Sequence, residues 1–290
     1  MKIKKYILLL FIPLYTPCLF AQELVPFNQN GFWGYMDENK QVVIEPQYQY
    51  AYRFKGEHAV TVRDSGVGVI NRENKIVIPF RYHHIRHIDN RNFLFGYKAA
   101  YVGEHYLGVI NTSNQVIIEP IYKHIRPQNG FYIVVTETDS VTEESGVYTT
   151  RITWSKYGLR DSTGKEVIPC EYDYLEWLND ALIVLSKNKH ETQALYNSRG
   201  EQLTEFKYRV IGRFLDGLSK VREGGKFGFI NMNGDVVIPL EYDLCEPFEN
   251  GFAMVMKGKK WGAINKNGEK VIAVKFSYEE VKMKISKEIR

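Results

Sequence analysis

The sequence predicts an all-β protein: a tandem array of about seven three-stranded β-hairpin or meander repeats in an open or curved arrangement, with a closed seven-bladed β-propeller as the alternative. Three observations carry this prediction. First, fixed columns recur. An anchor stands at Gly34, Gly68, Gly108, Gly158, Ala194, Gly228 and Gly262. An Asp or Asn follows three residues later at Asp37, Asn71, Asn111, Asp161, Asn197, Asn231 and Asn265. An aromatic ring follows at Tyr48, Tyr82, Tyr122, Tyr172, Tyr208, Tyr242 and Phe276. Second, the runs between these columns are β-branched, as in Val236-Val237-Ile238. Stiff χ1 angles suit such residues to a pleated strand. Third, Lys40, Asn74, Asn114, Gly164, Gly200, Gly234 and Gly268 form a column dominated by Gly and Asn, the types that accept the left-handed backbone of a tight turn.

One copy shows the logic. Phe227, Phe229 and Ile230 form a short apolar strand, and Asn231 opens a turn whose backbone N–H groups an Asx side chain can bond. Asn233-Gly234 completes the turn, and Val236 to Ile238 return. Pro239 has no N–H for a ladder and is expected to end the strand, with Tyr242 in the connection beyond. A third strand precedes each anchor, as in Gly251 to Met256 before Gly262.

These residues resemble a known family. Trp33-Gly34 and Trp261-Gly262, with N-x-x-G-x-x-V-I-P and E-Y-D after the anchor, look like the WG (KWG) repeats of bacterial proteins. The name-giving Trp is replaced by Val67, Leu107, Tyr157, Gln193 and Phe227. The resemblance implies a β-rich repeat array without general enzymatic activity, and it brings no ligand.

Taken in order, the chain opens with Met1 to Ala21. Lys2, Lys4 and Lys5 precede an apolar run from Ile7 to Leu14, and Ala21 precedes polar Gln22. That pattern describes a signal peptide, residues 1–21, leaving 22–290 as the repeat array. The run is too short for the roughly 20 residues of a bilayer-spanning helix. Lipidation at Cys18 is the less favoured alternative, because Thr16-Pro17 makes a poor recognition site. Export places the mature chain in the periplasm or outside the cell. Of the formal charge of +4, three lysines lie in the leader, so +1 remains. No basic stripe argues for nucleic acid. Cys170 and Cys245 stand at unrelated places in their units and are read as two separate buried thiols.

Anchor spacings run 34, 40, 50, 36, 34 and 34. Helical repeats of similar period exist, but an apolar period of two excludes them. Both excess lengths fall in the hairpin just before an anchor. One holds Tyr97 and Tyr101; the other runs from Thr136 to Lys156 with Glu143, Glu144, Tyr148 and Trp154. Insertions in repeat proteins map to loops on one face, often the binding face. An exposed hairpin also tolerates added length at small entropic cost, about 0.6 kcal/mol per doubling.

No catalytic, metal or cofactor site is expected. His83, His84 and His87 cluster, but His84 and His124 share a column with Tyr50, Tyr174 and Leu244, which argues for packing. No nucleophile elbow or zinc-protease motif occurs. Glu171 and Glu241 adjoin the ring column but are replaced there by Lys207 and Lys275. The Tyr column is assigned to the core, because each unit must bury its face against the next. The off-pattern rings Tyr97, Tyr101, Tyr148, Trp154 and Trp177 are the better ligand candidates. The resulting expectation is an exported, non-enzymatic scaffold for protein partners. A glycan-binding module and an enzyme with a site between repeats are the alternatives.

Overall fold

The computed structural model describes residues 23–98, 105–145, 148–188 and 190–288. The leader, including Cys18, lies outside them, as does Tyr101. Two compact units are present: the described residues up to Arg91 with Thr112–Asn114, and Asn92–Asn111 with those from Gln115 onward.

The described chain is almost entirely β, in seven antiparallel sheets of three or four strands, none closed on itself. In the first unit, Val25–Gln29, Phe32–Met36 and Val42–Tyr48 form one sheet, and Tyr50–Ala51, His58–Arg63, Gly66–Asn71 and Ile76–Tyr82 the next. The second unit repeats the plan. Its fullest example is Val210–Leu215, Leu218–Glu223, Lys226–Asn231 and Val236–Tyr242.

The meander seen in the sequence gains an outer strand. It begins sixteen residues after each anchor at Tyr50, His84, His124, Tyr174, Val210 and Leu244. Several copies are only two to four residues long, too short to show a period of two. Pro239 does not end its strand, which continues to Tyr242. The ladder steps instead from Phe229↔Ile238 to Phe227↔Tyr242, a bulge in which a residue without an N–H loses nothing.

The bulge explains the anchor. A Cβ on Gly228 would lie 2.5 Å from the Ile238 carbonyl oxygen, and one on Gly34 would lie 2.3 Å from that of Ile44. Backbone presses on backbone, so only glycine fits. The turn columns behave as their residue types dictate. The Asn231 side-chain oxygen accepts the N–H groups of Asn233 and Asp235, at 3.0 and 2.9 Å. Asp161 and Asn265 do the same in their units. The column from Lys40 to Gly268 has positive φ throughout.

The core lies between consecutive sheets. Tyr48, Tyr172 and Tyr242 each sit in an apolar cluster spanning two of them. All six tyrosines of the column are buried. Their hydroxyls meet side chains of the next sheet more than backbone: Tyr122 accepts from Arg160 at 2.7 Å, and Tyr48 donates to Asn74 at 2.5 Å. Burial raises the pKa of Tyr48 and Tyr208 and pushes Tyr242 up to about 12, with Glu241 adding to the last. Buried Cys245 is pushed up to about 12 by the same cause. Cys170 is only half-buried and donates to the Lys156 carbonyl at 3.0 Å; both thiols are free.

The folded state holds these protons more tightly than the unfolded one, so stability is fully present at low pH and is lost as pH rises. From about pH 7 melting temperature should be flat to about pH 8.5, where unfolded thiols ionise, and fall steeply past about pH 10, where unfolded phenols do. Complete phenolate formation near pH 10 in a still-folded protein would contradict the buried column.

The seventh unit ends differently. At Tyr278, where other units start an outer strand, the helix Tyr278–Glu288 begins. Ser277 and Glu280 form a reciprocal capping box, with Glu280 accepting the Ser277 N–H at 2.8 Å. Val281 is fully buried against Met254, Ala263 and Ile272, so the helix covers the outer face of the last described sheet. The period-two reading missed this helix, although Ser277-Tyr-Glu-Glu280 spells its start.

Candidate functional site

The two lengthened hairpins are the features that the repeat logic does not require. The longer is a ribbon made by Phe131–Ser145 and Tyr148–Arg160, paired from Tyr132↔Arg160 to Ser145↔Tyr148. On one side the flanking strand stops at Val135, and on the other at Tyr157. Beyond those points the ribbon runs on as two strands alone, a reach of about 30 Å at some 3.3 Å per residue. A β-bulge lies between Thr138 and Val141.

Register sorts the expected site residues. Tyr148, Thr150, Ile152 and Trp154 occupy alternate positions of their strand, and Val141, Glu143 and Ser145 stand opposite Ile152, Thr150 and Tyr148. These positions share one ribbon face, while Glu144 pairs with Thr149 on the other. Of Glu143, Glu144 and Tyr148 the backbone alone is described. Trp154 is 45% exposed.

The shorter lengthened hairpin is linked to the base of the ribbon through Lys123. Tyr97 pairs directly with Tyr106, and each is 43% exposed. The Lys123 ammonium sits 5.0 Å from the centre of the Tyr106 ring and 3.5 Å from the Glu137 carboxylate. It therefore ties the first hairpin to the base of the second. Glu137 pairs with Ser155, so it and Trp154 lie on opposite faces of the ribbon. The structure thus brings Tyr97 to Tyr106 and sets Trp154 on the ribbon face opposite Glu137. Tyr106 and Lys123 escaped the sequence reading; the alternation that places Tyr106 across from Tyr97 was the available signal.

Other candidates resolve into structure. Trp177 is buried against Phe131, with ring centroids 5.3 Å apart, and belongs to the core. Glu241 is exposed beside its buried ring, its carboxyl held below the usual range by a 2.8 Å hydrogen bond from Lys257. His84 is half-buried and His124 exposed, so their column packs less tightly than expected. Among the described residues no group of three His, Cys, Asp or Glu side chains is placed to hold a metal ion. A cleft of about 740 Å³ lies between the helix and the segment around Phe248, with Asp216, Glu246, Glu249 and Lys282 mixing both charges at its edges. No helix among the described residues is long and apolar enough to cross a membrane.

Fold and surface together define a β-repeat protein whose departures from the repeat are two lengthened hairpins. The WG containing repeat matches residues 33–64, 68–95, 108–137, 157–189, 195–227, 227–261 and 261–278, and the chain belongs to that family. Among curated proteins none matches. Solved structures with a similar succession of strands include the β-propeller domain of the Trilobed protease from Pyrococcus furiosus, whose topology is described as open velcro. It is 13% identical, with 87% of this chain and 93% of that one covered and a TM-score of 0.31. A eukaryotic initiation factor is 8% identical over 89% and 86% of the two chains, with a TM-score of 0.29. A protein of unknown function from Bacteroides caccae is 13% identical over 87% and 92%, with a TM-score of 0.24.

Proposed function

We propose that this WG-repeat protein is an exported, non-enzymatic interaction scaffold that binds a protein partner in the cell envelope or outside the cell, through the lengthened hairpins. The carrying observation is the two-stranded ribbon that continues past both flanking strands. A repeat array gains nothing in packing from such an extension, because its core lies between sheets. The ribbon positions of Tyr148, Ile152 and Trp154 supply the apolar and aromatic anchors that dominate interfaces. Glu143 and Glu144 supply charge that steers approach. The leader supports export, with the mature chain starting at Gln22.

Replacing Thr138 to Thr149 with an Asn-Gly turn tests the reading. The melting temperature should stay within a few degrees of wild type, because the excised pairs lie beyond the sheet. A partner captured from the envelope fraction by the wild type should be lost. An unchanged partner set in a folded variant would remove the ribbon from the account. Partner capture that survives, combined with neutral-glycan binding that Trp154→Ala abolishes, would favour the carbohydrate alternative.

A further inference from the structure

The second repeat departs from its neighbours in another way. In three units a ring before the anchor packs on the ring that opens the next element, an outer strand in two of them and the helix in the third. Trp33 meets Tyr50 with centroids 5.3 Å apart, Tyr157 meets Tyr174 at 6.4 Å, and Trp261 meets Tyr278 at 5.0 Å. In the second unit those two positions hold Val67 and His84. A cleft of about 480 Å³ opens there, lined by both residues. Its size falls within the roughly 300–1,000 Å³ of small-molecule sites.

The chemistry of the cleft is one-sided. Val60, Val62 and Val67 give it an apolar floor, and Tyr52, 53% exposed, stands at the rim edge-on to Tyr50. Arg53, Lys55 and Arg86 supply three permanent cations, and no Asp or Glu is among the lining residues. Glu57 pairs with Arg72, which does not line the cleft, at 3.3 Å, and Glu23 reaches the cleft residue Arg53 only through a long, exposed contact of 3.8 Å that a bound carboxylate would replace. The His87 ring on the cleft wall is kept neutral near pH 7: burial, with Lys55 and His58, pushes it down to about 4.

We propose that the cleft binds an organic carboxylate carried on a ring with an apolar face, the chemistry of a hexuronate. The guanidinium groups of Arg53 and Arg86 and the Lys55 ammonium receive the carboxylate, and guanidinium matches its planar fork. Tyr52 and the valine floor receive the C–H face of the ring. Loss of the family Trp at Val67 therefore makes a site, which lies in the first compact unit and stands independently of the ribbon.

Titration of the full mature chain with sodium glucuronate, glucose and inorganic phosphate, followed by amide chemical shifts, tests this. Glucuronate should bind at millimolar or lower concentration and shift amides of Val60–Val67 and His83–His87. Glucose and phosphate should each bind at least about tenfold more weakly, a loss of some 1.4 kcal/mol. Val67→Trp restores the residue that the fold accepts in two other units, and it should abolish glucuronate binding while the protein stays folded. Arg86→Gln should weaken binding several-fold, giving a second readout should the Trp variant misfold. Absence of glucuronate binding, equal binding of glucose or phosphate, or wild-type affinity in a folded Val67→Trp protein would each overturn the proposal.

Discussion

Tyr242→Ala is expected to cost about 3 kcal/mol or more, the range for large aromatic truncations in a core. The ring is 2% exposed and packs among Phe229, Ile238, Cys245 and Val255, which come from two consecutive sheets. Removing it leaves a cavity at a junction that both sheets need, and chemical denaturation at neutral pH measures the loss. Phe276→Ala is the internal comparison. That ring occupies the same column but is only half-buried beside the terminal helix, so its truncation should cost clearly less. Equal losses at the two positions would show that the column is not what joins the repeats.

Gly228→Ala should cost about 1–3 kcal/mol, the usual penalty for overpacking. The added carbon would meet the Ile238 carbonyl oxygen at 2.5 Å and the Leu240 nitrogen at 2.9 Å, and neither can swing aside as a side chain would. The fifth unit supports this from within the molecule. Its anchor is Ala194, and the segment facing it forms no strand, only isolated bridges Gln193↔Tyr208 and Tyr196↔Gln202. Leu203 and Thr204 both donate their N–H to the Leu195 carbonyl, and the Thr204 hydroxyl oxygen accepts the Leu195 N–H at 2.9 Å. Ala194→Gly should therefore change stability by less than about 1 kcal/mol. A neutral Gly228→Ala would show that the bulge has room.

The repeat was legible because backbone chemistry demanded it. Left-handed turn positions select Gly and Asn, Asx caps select Asp and Asn, and a junction between sheets selects a ring. Each demand left a column that survives drift elsewhere. The missed features left no such trace. An outer strand as short as Leu244-Cys245 cannot show alternation. Pro239 looked like a strand end because the bulge that accommodates it arises from pairing with Phe227 and Phe229, which sequence order hides. The helix was masked by a search for period two. The site was legible only as excess length. Tyr97 and Trp154 stood out as rings off the pattern, but the pairing of Tyr97 with Tyr106 and the ribbon face that Trp154 occupies depended on register, and Lys123 joined through contacts with Tyr106 and Glu137.

The central claim is that the Gly, Asx and ring columns build and hold the array, and that the fold is less protected where they lapse or lengthen. Native-state amide hydrogen exchange on the mature protein tests it most directly, because exchange reports local opening segment by segment. The account predicts slow exchange in strands such as Lys226–Asn231, Val236–Tyr242 and Lys260–Asn265. It predicts faster exchange from Glu201 to Lys207, where the fifth unit lacks its strand, and in the ribbon beyond Val135 and Tyr157. Protection of Glu201 to Lys207 equal to that of Val236–Tyr242, or rapid exchange throughout Val236–Tyr242, would contradict it.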